Sequence, residues 1–112
     1  MVKKNFILKR GDIVWIDFSP TKGHEQSGLR PAVVISPLKY NAMSGMVVVC
    51  PMTKKSKGYL FEVPVNSYFG QSFVLTDQIR TFDIKERIKK QSESLPEFEM
   101  DEILAKIAVL VQ

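Results

Sequence analysis

The chain has 112 residues, of which 45% are hydrophobic and 25% charged, and this length and composition predict one globular domain over residues 1–112. No apolar run is long enough to cross a membrane or follows a charged leader as a signal peptide would, so we expect a cytoplasmic protein with no membrane segment. The single cysteine, Cys50, excludes an internal disulfide and is predicted to be a buried apolar side chain. His24 is the single histidine, and without a cluster of ligands around it we expect neither a metal nor a cofactor.

The charge is divided unevenly along the chain. Residues 1–92 carry fifteen basic and seven acidic side chains, a net charge of +8, whereas residues 93–112 carry one basic and five acidic side chains, a net charge of −4. The excess of positive charge in residues 1–92 attracts polyanions such as nucleic acid, although charged side chains that are simply solvated account for part of this excess.

A polar loop, residues 21–31, lies between the first two predicted strands. These strands, residues 12–18 (DIVWIDF) and 32–36 (AVVIS), are rich in β-branched and aromatic residues, and the first has apolar residues on both faces, as in a small curled barrel. Pro31 keeps Arg30 extended at the strand end. An arginine beside a carboxylate suits phosphate binding and proton transfer, whereas a solvated hairpin loop is the alternative. The loop carries Lys22, His24, Glu25, Gln26 and Arg30.

A second polar site is predicted at the end of the third strand. Residues 37–45 are expected to form a short helical turn and a loop, and residues 46–52 the strand itself. Thr53 then follows, where its hydroxyl lies beside positive charge or makes only a local turn hydrogen bond. The basic loop after it contains Lys54, Lys55 and Lys57.

Two further strands are predicted before the C-terminal region. Residues 59–65 form an edge strand, because Pro64 cannot donate to a ladder. Residues 72–82 alternate between an apolar face and a face of hydrogen-bonding groups, which is either a solvated outer face or the wall of a nucleic-acid groove. The polar face contains Ser72, Thr76, Gln78 and Arg80.

The last segments differ in how clearly they are predicted. Residues 83–91 fit either a hairpin return or a short strand. Residues 94–111 have the apolar spacing of an amphipathic helix, with Ser94 and Glu97 resembling a capping box and Pro96 in the first turn. We expect its apolar stripe to pack on the barrel or across a dimer seam.

Three separated motifs resemble those of the MazF/PemK family of toxin endoribonucleases, the stable partners in type II toxin–antitoxin pairs. They occur in the family's order and span nearly the whole chain. The motifs are GDIVWIDFSPTKGHEQSGLRPAVVIS (residues 11–36), PMT followed by KKSKGYLFEV (51–63), and LTDQIRT (75–81).

The resemblance implies a mainly β fold, a small SH3-like barrel with a C-terminal α-helix, acting as a homodimer with an acidic antitoxin as partner. It implies metal-independent cleavage of single-stranded RNA at short sequences. In the family's motifs the catalytic positions match Arg30 and Thr53, with Glu25 as a third candidate, and RNA-contacting positions match Ser72 and Gln78. Together with the polar and basic residues above, the predicted RNA-binding set is Ser72, Gln78, Arg80, Lys54, Lys55, Lys57, Gln26 and His24.

RNA can be cleaved without a metal because the 2′-hydroxyl lies beside the scissile phosphate, and its attack gives a 2′,3′-cyclic phosphate and a 5′-hydroxyl. Arg30 is predicted to stabilise charge, and the proton is left to Glu25, His24 or water. Two alternatives from other classes are a noncatalytic CcdB-like toxin that binds a topoisomerase and a nucleic-acid-binding barrel without activity.

Overall fold

Strands are the commonest regular element in the described part of the chain, which in this computed structural model comprises residues 6–18, 23, 28–67 and 69–112. The strands are β1 (Asp12–Asp17), β2 (Leu29–Val34), β3 (Met46–Thr53), β4 (Glu62–Ser67), β5 (Gly70–Leu75), β6 (Arg80–Asp83) and β7 (Ile88–Ser94). The helices are α1 (Leu38–Ser44), α2 (Ile84–Arg87) and α3 (Glu97–Leu110).

All described strand pairs are antiparallel, in the order β4-β5-β3-β2-β1-β7, with β6 pairing with β3. β3 has three partners along its length: β6 over Met46–Val49, β2 over Val49–Pro51, and β5 at Met52 and Thr53. The sheet therefore curls into a half-barrel, and the predicted mainly β fold with a C-terminal helix is confirmed.

The curled sheet has a hydrophobic core on each face, because successive side chains of a strand point in opposite directions. β1 contributes Val14 and Ile16 to one core and Ile13 to the other, as its sequence predicts. α3 closes the second core with Met100 and Ile103, both buried.

Leu104 and Ile107 of the α3 stripe are partly buried and pack against this core, whereas the end of the stripe lies outside it. Leu110 is 39% exposed and Val111 is 74% exposed, so the C-terminal end of the predicted stripe does not pack on the sheet. None of the helices formed by the described residues is both long and apolar enough to cross a membrane.

The prediction of one strand with a polar face over residues 72–82 is wrong. A turn at Thr76 and Asp77 separates β5 from β6. The Thr76 hydroxyl donates to the Phe61 carbonyl at 2.6 Å, and both Thr76 and Ser72 are fully buried. The hydrogen-bonding groups therefore do not form one exposed row, because the turn changes the direction of the chain after Leu75.

The segment that sequence left open, residues 83–91, forms the short helix α2 and the start of β7. Asp83 caps α2 by accepting from the Glu86 N–H at 3.1 Å. The predicted capping box at α3 is wrong: Ser94 ends β7, its hydroxyl donates to Asp12, and Pro96 is the N-cap residue.

The smaller differences are in strand boundaries. β2 starts at Leu29, so Arg30 lies within the strand, and the strand predicted over residues 59–65 runs from Glu62 to Ser67. It is at the edge of the described sheet, as Pro64 predicts. The helical turn before β3 is confirmed as α1.

Cys50 lies in the middle of β3 and is fully buried, as predicted. Burial, together with the nearby charge of Asp77, raises the pKa of its thiol to about 12. The side chain therefore acts as a small apolar group of the core.

Asp12 joins three separate segments at the edge of the sheet. It is 2% exposed, and its carboxylate accepts hydrogen bonds from the Lys9 N–H at 2.9 Å, the Lys9 ammonium at 2.7 Å, the Gln91 amide at 3.2 Å and the Ser94 hydroxyl. Burial alone would raise the pKa of Asp12, but the hydrogen bonds from Lys9 and Ser94 and the charge of Lys9 outweigh it and lower the pKa. The ionised carboxylate thus stabilises the junction of β1 with β7.

We predict that Asp12→Asn lowers the free energy of unfolding by about 2 kcal/mol at neutral pH, the scale of hydrogen bonds to a charged group. Because the folded-state pKa lies below the ordinary value of about 4, this contribution is complete above that value and is lost as the pH falls through the folded-state pKa. Urea denaturation of both proteins over this pH range measures the difference. Asp101→Asn, at an exposed position of α3, is the control, and an equal loss in the control would contradict the prediction.

Candidate nucleic-acid interface

A cavity of about 510 Å³ opens at one end of the half-barrel. Its size is within the range of about 300–1,000 Å³ typical of ligand sites. It contains both predicted catalytic residues that the structure describes. Its lining consists of Trp15, Arg30, Pro31, Met52, Thr53, Lys54, Lys55, Lys57, Phe69 and Ser72.

The cavity forms where β3 leaves one neighbouring strand and joins another. β2 and β3 pair as far as Ala32 and Pro51, and the same register continued by two residues sets Arg30 opposite Thr53. At that point β3 pairs instead with β5, with Thr53 opposite Phe73. The two polar side chains therefore line a gap between β2 and β5.

Arg30 is held by its strand as well as by the base of the β1–β2 loop. It pairs with Ile16 of β1 and is partly buried. The Phe18 N–H donates to the Gly28 carbonyl at 2.9 Å, which closes the loop just before Arg30. Gly28 has φ +79°, a left-handed conformation that favours glycine. Arg30 thus lies on a rigid element beside the predicted loop.

The Thr53 hydroxyl accepts a hydrogen bond from the Lys55 N–H at 3.3 Å. The sequence allowed this local turn hydrogen bond as one of two roles for the Thr53 hydroxyl. The hydrogen bond is compatible with the other role, binding at the site. Because the hydroxyl proton is not used in that bond, Thr53 can still donate to a ligand.

Glu62 of β4 fixes the basic loop that follows Thr53. Its carboxylate accepts from the Ser56 hydroxyl and from the N–H groups of Lys57 and Gly58 at 3.0 and 3.2 Å. These hydrogen bonds, that from Ser56 first, hold the pKa of Glu62 below its ordinary value although partial burial opposes them. The loop is therefore anchored by an ionised carboxylate at neutral pH.

Three lysines of this loop give the cavity a cationic rim, which we define as Lys54, Lys55 and Lys57. All three are exposed at the residue level. The Lys54 ammonium donates to the Phe69 carbonyl and lies 5.5 Å from the centroid of the Phe69 ring. With Arg30, the rim supplies four positive charges around one cavity, an arrangement suited to a polyanion.

The floor of the cavity is apolar and aromatic, and sequence analysis did not identify it as part of the site. Trp15 and Phe69 have ring centroids 5.9 Å apart with an interplanar angle of 56°, and Pro31 and Met52 lie beside them. Sequence alternation places Trp15 on the face of Ile13. Trp15 lies in the site because β1 and β2 pair with Trp15 opposite Pro31, and no sequence motif predicts that register.

The structure separates two of the remaining predicted residues, Gln78 and Arg80, from the cavity lining. Gln78 lies in the turn after β5, where it hydrogen-bonds to the phenol of Tyr59. Arg80 donates to the Phe18 carbonyl at 3.3 Å, and its guanidinium carbon is 4.8 Å from the Phe82 ring centroid. The predicted groove wall of Ser72, Gln78 and Arg80 is thus divided, with Ser72 alone lining the cavity. Glu25, Gln26 and His24 lie outside the described residues.

The geometry agrees with a comparison against known families. The family model described as "PemK-like, MazF-like toxin of type II toxin-antitoxin system" matches residues 9–111.

The chain belongs to this family.

Relatives of known function and structure match over nearly the whole chain. The endoribonuclease toxin MazF of Escherichia coli strain K12 is 41% identical over 106 residues, which are 95% of this chain and 96% of that protein. A crystal structure of MazF from Deinococcus radiodurans has a TM-score of 0.84 at 35% identity and covers 96% of this chain and 98% of its own. A MazE–MazF crystal structure from the same organism has a TM-score of 0.77 at 35% identity, covering 96% and 97%. The family predicted from the three motifs is confirmed.

We predict that Glu62→Gln loosens the basic loop, because a neutral amide is a weaker acceptor for three donors. Amide hydrogen exchange at Lys57 and Gly58 should accelerate about ten-fold, the scale of losing one net hydrogen bond. Glu97→Gln, at an exposed position of α3, is the matched control and should leave both amides unchanged. Unchanged exchange in Glu62→Gln would mean that the loop is held by other contacts.

Proposed function

We propose that this chain is the toxin of a type II toxin–antitoxin system and a sequence-specific endoribonuclease that cleaves single-stranded RNA without a metal. The observation that carries the proposal is the placement of Arg30 and Thr53 beside the lysines of the cationic rim in one cavity. Family membership and the endoribonuclease relatives support it.

The reaction that fits these residues is an internal transfer. The 2′-hydroxyl oxygen bonds to the adjacent phosphorus as the bond from phosphorus to the 5′-oxygen breaks, leaving a 2′,3′-cyclic phosphate and a 5′-hydroxyl. A base takes the 2′ proton and an acid supplies a proton to the 5′-oxygen. Glu25, His24 and water are the candidates for these transfers.

Arg30 and Thr53 act on the charge that develops at phosphorus. The guanidinium of Arg30 presents planar donors that match two phosphate oxygens, and it does not lose its proton near neutral pH. The Thr53 hydroxyl, from the other side of the gap, donates to a non-bridging oxygen. Both are held by strands, so little reorganisation is needed when the charge forms.

The partners we propose are single-stranded RNA, an acidic antitoxin and a second copy of this chain. The cationic rim supports the first two, because both are extended polyanions. The MazE–MazF structure supports an antitoxin partner. For the homodimer, the exposed apolar residues at the end of α3, Val109 to Val111, are available for self-association.

The strongest rival remains a noncatalytic, CcdB-like toxin that binds a topoisomerase through its surface. Such a protein has no use for an arginine and a hydroxyl aimed at one cavity. Incubation of the purified chain with a long RNA in EDTA separates the two, since only the endoribonuclease produces fragments.

We predict that Arg30→Ala lowers the cleavage rate by about 10³-fold or more, the upper range for loss of one charge-stabilising donor. Arg30→Lys should restore little activity, because an ammonium cannot reproduce the planar fork. Arg10→Ala is the control, since Arg10 lines a different cavity beside α3. Single-turnover cleavage with circular dichroism of each variant measures the effect, and near-normal cleavage by a folded Arg30→Ala protein would refute the assignment.

The nucleophile gives a second prediction. An RNA oligonucleotide with one 2′-deoxy substitution just 5′ of the scissile phosphate should bind normally but resist cleavage, because it lacks the attacking oxygen. The unmodified strand should be cut equally in EDTA and in magnesium. Cleavage of the substituted strand at a comparable rate would show that water or a side chain attacks instead.

A further inference from the structure

Two buried hydrogen-bonding atoms belong to residues of the cavity lining and have no partner among the described residues. They are the Trp15 Nε1 and the Ser72 Oγ, and both residues line the cavity. Ser72 is fully buried, opposite Val65 in the β4–β5 pair. Buried polar groups in folded proteins are nearly always hydrogen-bonded, so unpartnered atoms in a cavity wall indicate a bound group that satisfies them.

The surroundings of these atoms determine what kind of group fits. The indole N–H is a donor only, so its partner must be an acceptor, whereas the Ser72 hydroxyl can donate or accept. Beside them lie the aromatic rings of Trp15 and Phe69 and the apolar side chains of Pro31 and Met52. A flat group with polar atoms on its edge matches this combination.

A nucleobase has that shape and chemistry, whereas a phosphate does not. Bases stack on aromatic side chains and present carbonyl oxygens and ring nitrogens along their edges. The charges that attract phosphates belong to the exposed lysines of the cationic rim and to Arg30. The cavity thus has separate places for a base and for the backbone.

We propose that Trp15 is a specificity-determining residue that reads one base of the RNA: the base stacks in the floor of the cavity, accepts a hydrogen bond from the indole N–H and bonds to Ser72. The inference rests on the proposed function in taking RNA as the ligand. The indole N–H selects for a base that has a hydrogen-bond acceptor on the edge facing the indole.

The chain has a single tryptophan, so its fluorescence reports on Trp15 directly. The probes are short 2′-fluoro RNA oligonucleotides, which lack the attacking hydroxyl and stay intact. The parent sequence is the tightest binder from a mixed pool, so its choice does not depend on cleavage. A single abasic position is then moved along this parent.

We predict that the parent quenches the emission of Trp15 and that one abasic position removes the quenching and weakens binding about ten-fold. Abasic sites elsewhere should keep the quenching. Quenching that survives every abasic substitution, or emission that responds to an acidic peptide but not to RNA, would overturn the proposal.

The variant Trp15→Phe keeps a stacking ring but lacks the N–H. Measured with a dye-labelled oligonucleotide, it should still bind the parent but lose about ten-fold of its preference for the base at the position found above. Tyr59→Phe, which removes a phenol hydroxyl outside the cavity lining, is the matched control and should keep the preference.

Ser72→Ala should weaken the same preference, and Ser67→Ala, whose hydroxyl bonds to Gly70 in the β4–β5 turn, should not. A folded Trp15→Phe protein with unchanged preference would overturn the proposal. A wild-type chain that reads the base in this way but cuts no unmodified RNA would refute the proposed function and leave this inference standing.

Discussion

The site depends on the change of partner that β3 makes at its C-terminal end. Up to Pro51 the strand pairs with β2, and from Met52 it pairs with β5. If the first pairing continued, Arg30 and Thr53 would be neighbours in a closed ladder with no room between them. Because the strand changes partner, both residues instead line an open gap, and the backbone on both sides remains part of the sheet.

The cavity combines two kinds of interaction that act at different ranges. The lysines of the cationic rim act through long-range charge, which attracts any polyanion and weakens as salt increases. The aromatic floor acts only on contact, and it distinguishes one flat group from another by stacking and hydrogen bonds. Glu62 connects the two, because by fixing the loop it keeps the charges around the floor. Affinity and selectivity are thereby assigned to different residues of one site.

The sequence predicted the parts of the molecule that depend on local pattern. Alternation in β1 and Pro64 at an edge correspond to the structure, and the motif residues Arg30 and Thr53 line one cavity. It did not predict features that depend on register between distant strands. Because the alternating pattern was continued through Thr76, it predicted a polar row that does not exist. The chain turns there, and the buried Thr76 hydroxyl donates to the carbonyl of Phe61, 15 residues away. For the same reason, alternation placed Trp15 on the face of Ile13 but did not identify it as part of the site.

The buried thiol of Cys50 has a consequence for how the molecule opens. A thiol reagent reacts with thiolate, and a group with a pKa of about 12 and no exposed surface supplies almost none while the sheet is intact. Cys50 lies three residues before Thr53 on the strand shared by both halves of the sheet. The rate at which Cys50 is alkylated therefore measures how often β3, the strand that shapes the cavity, separates from its neighbouring strands.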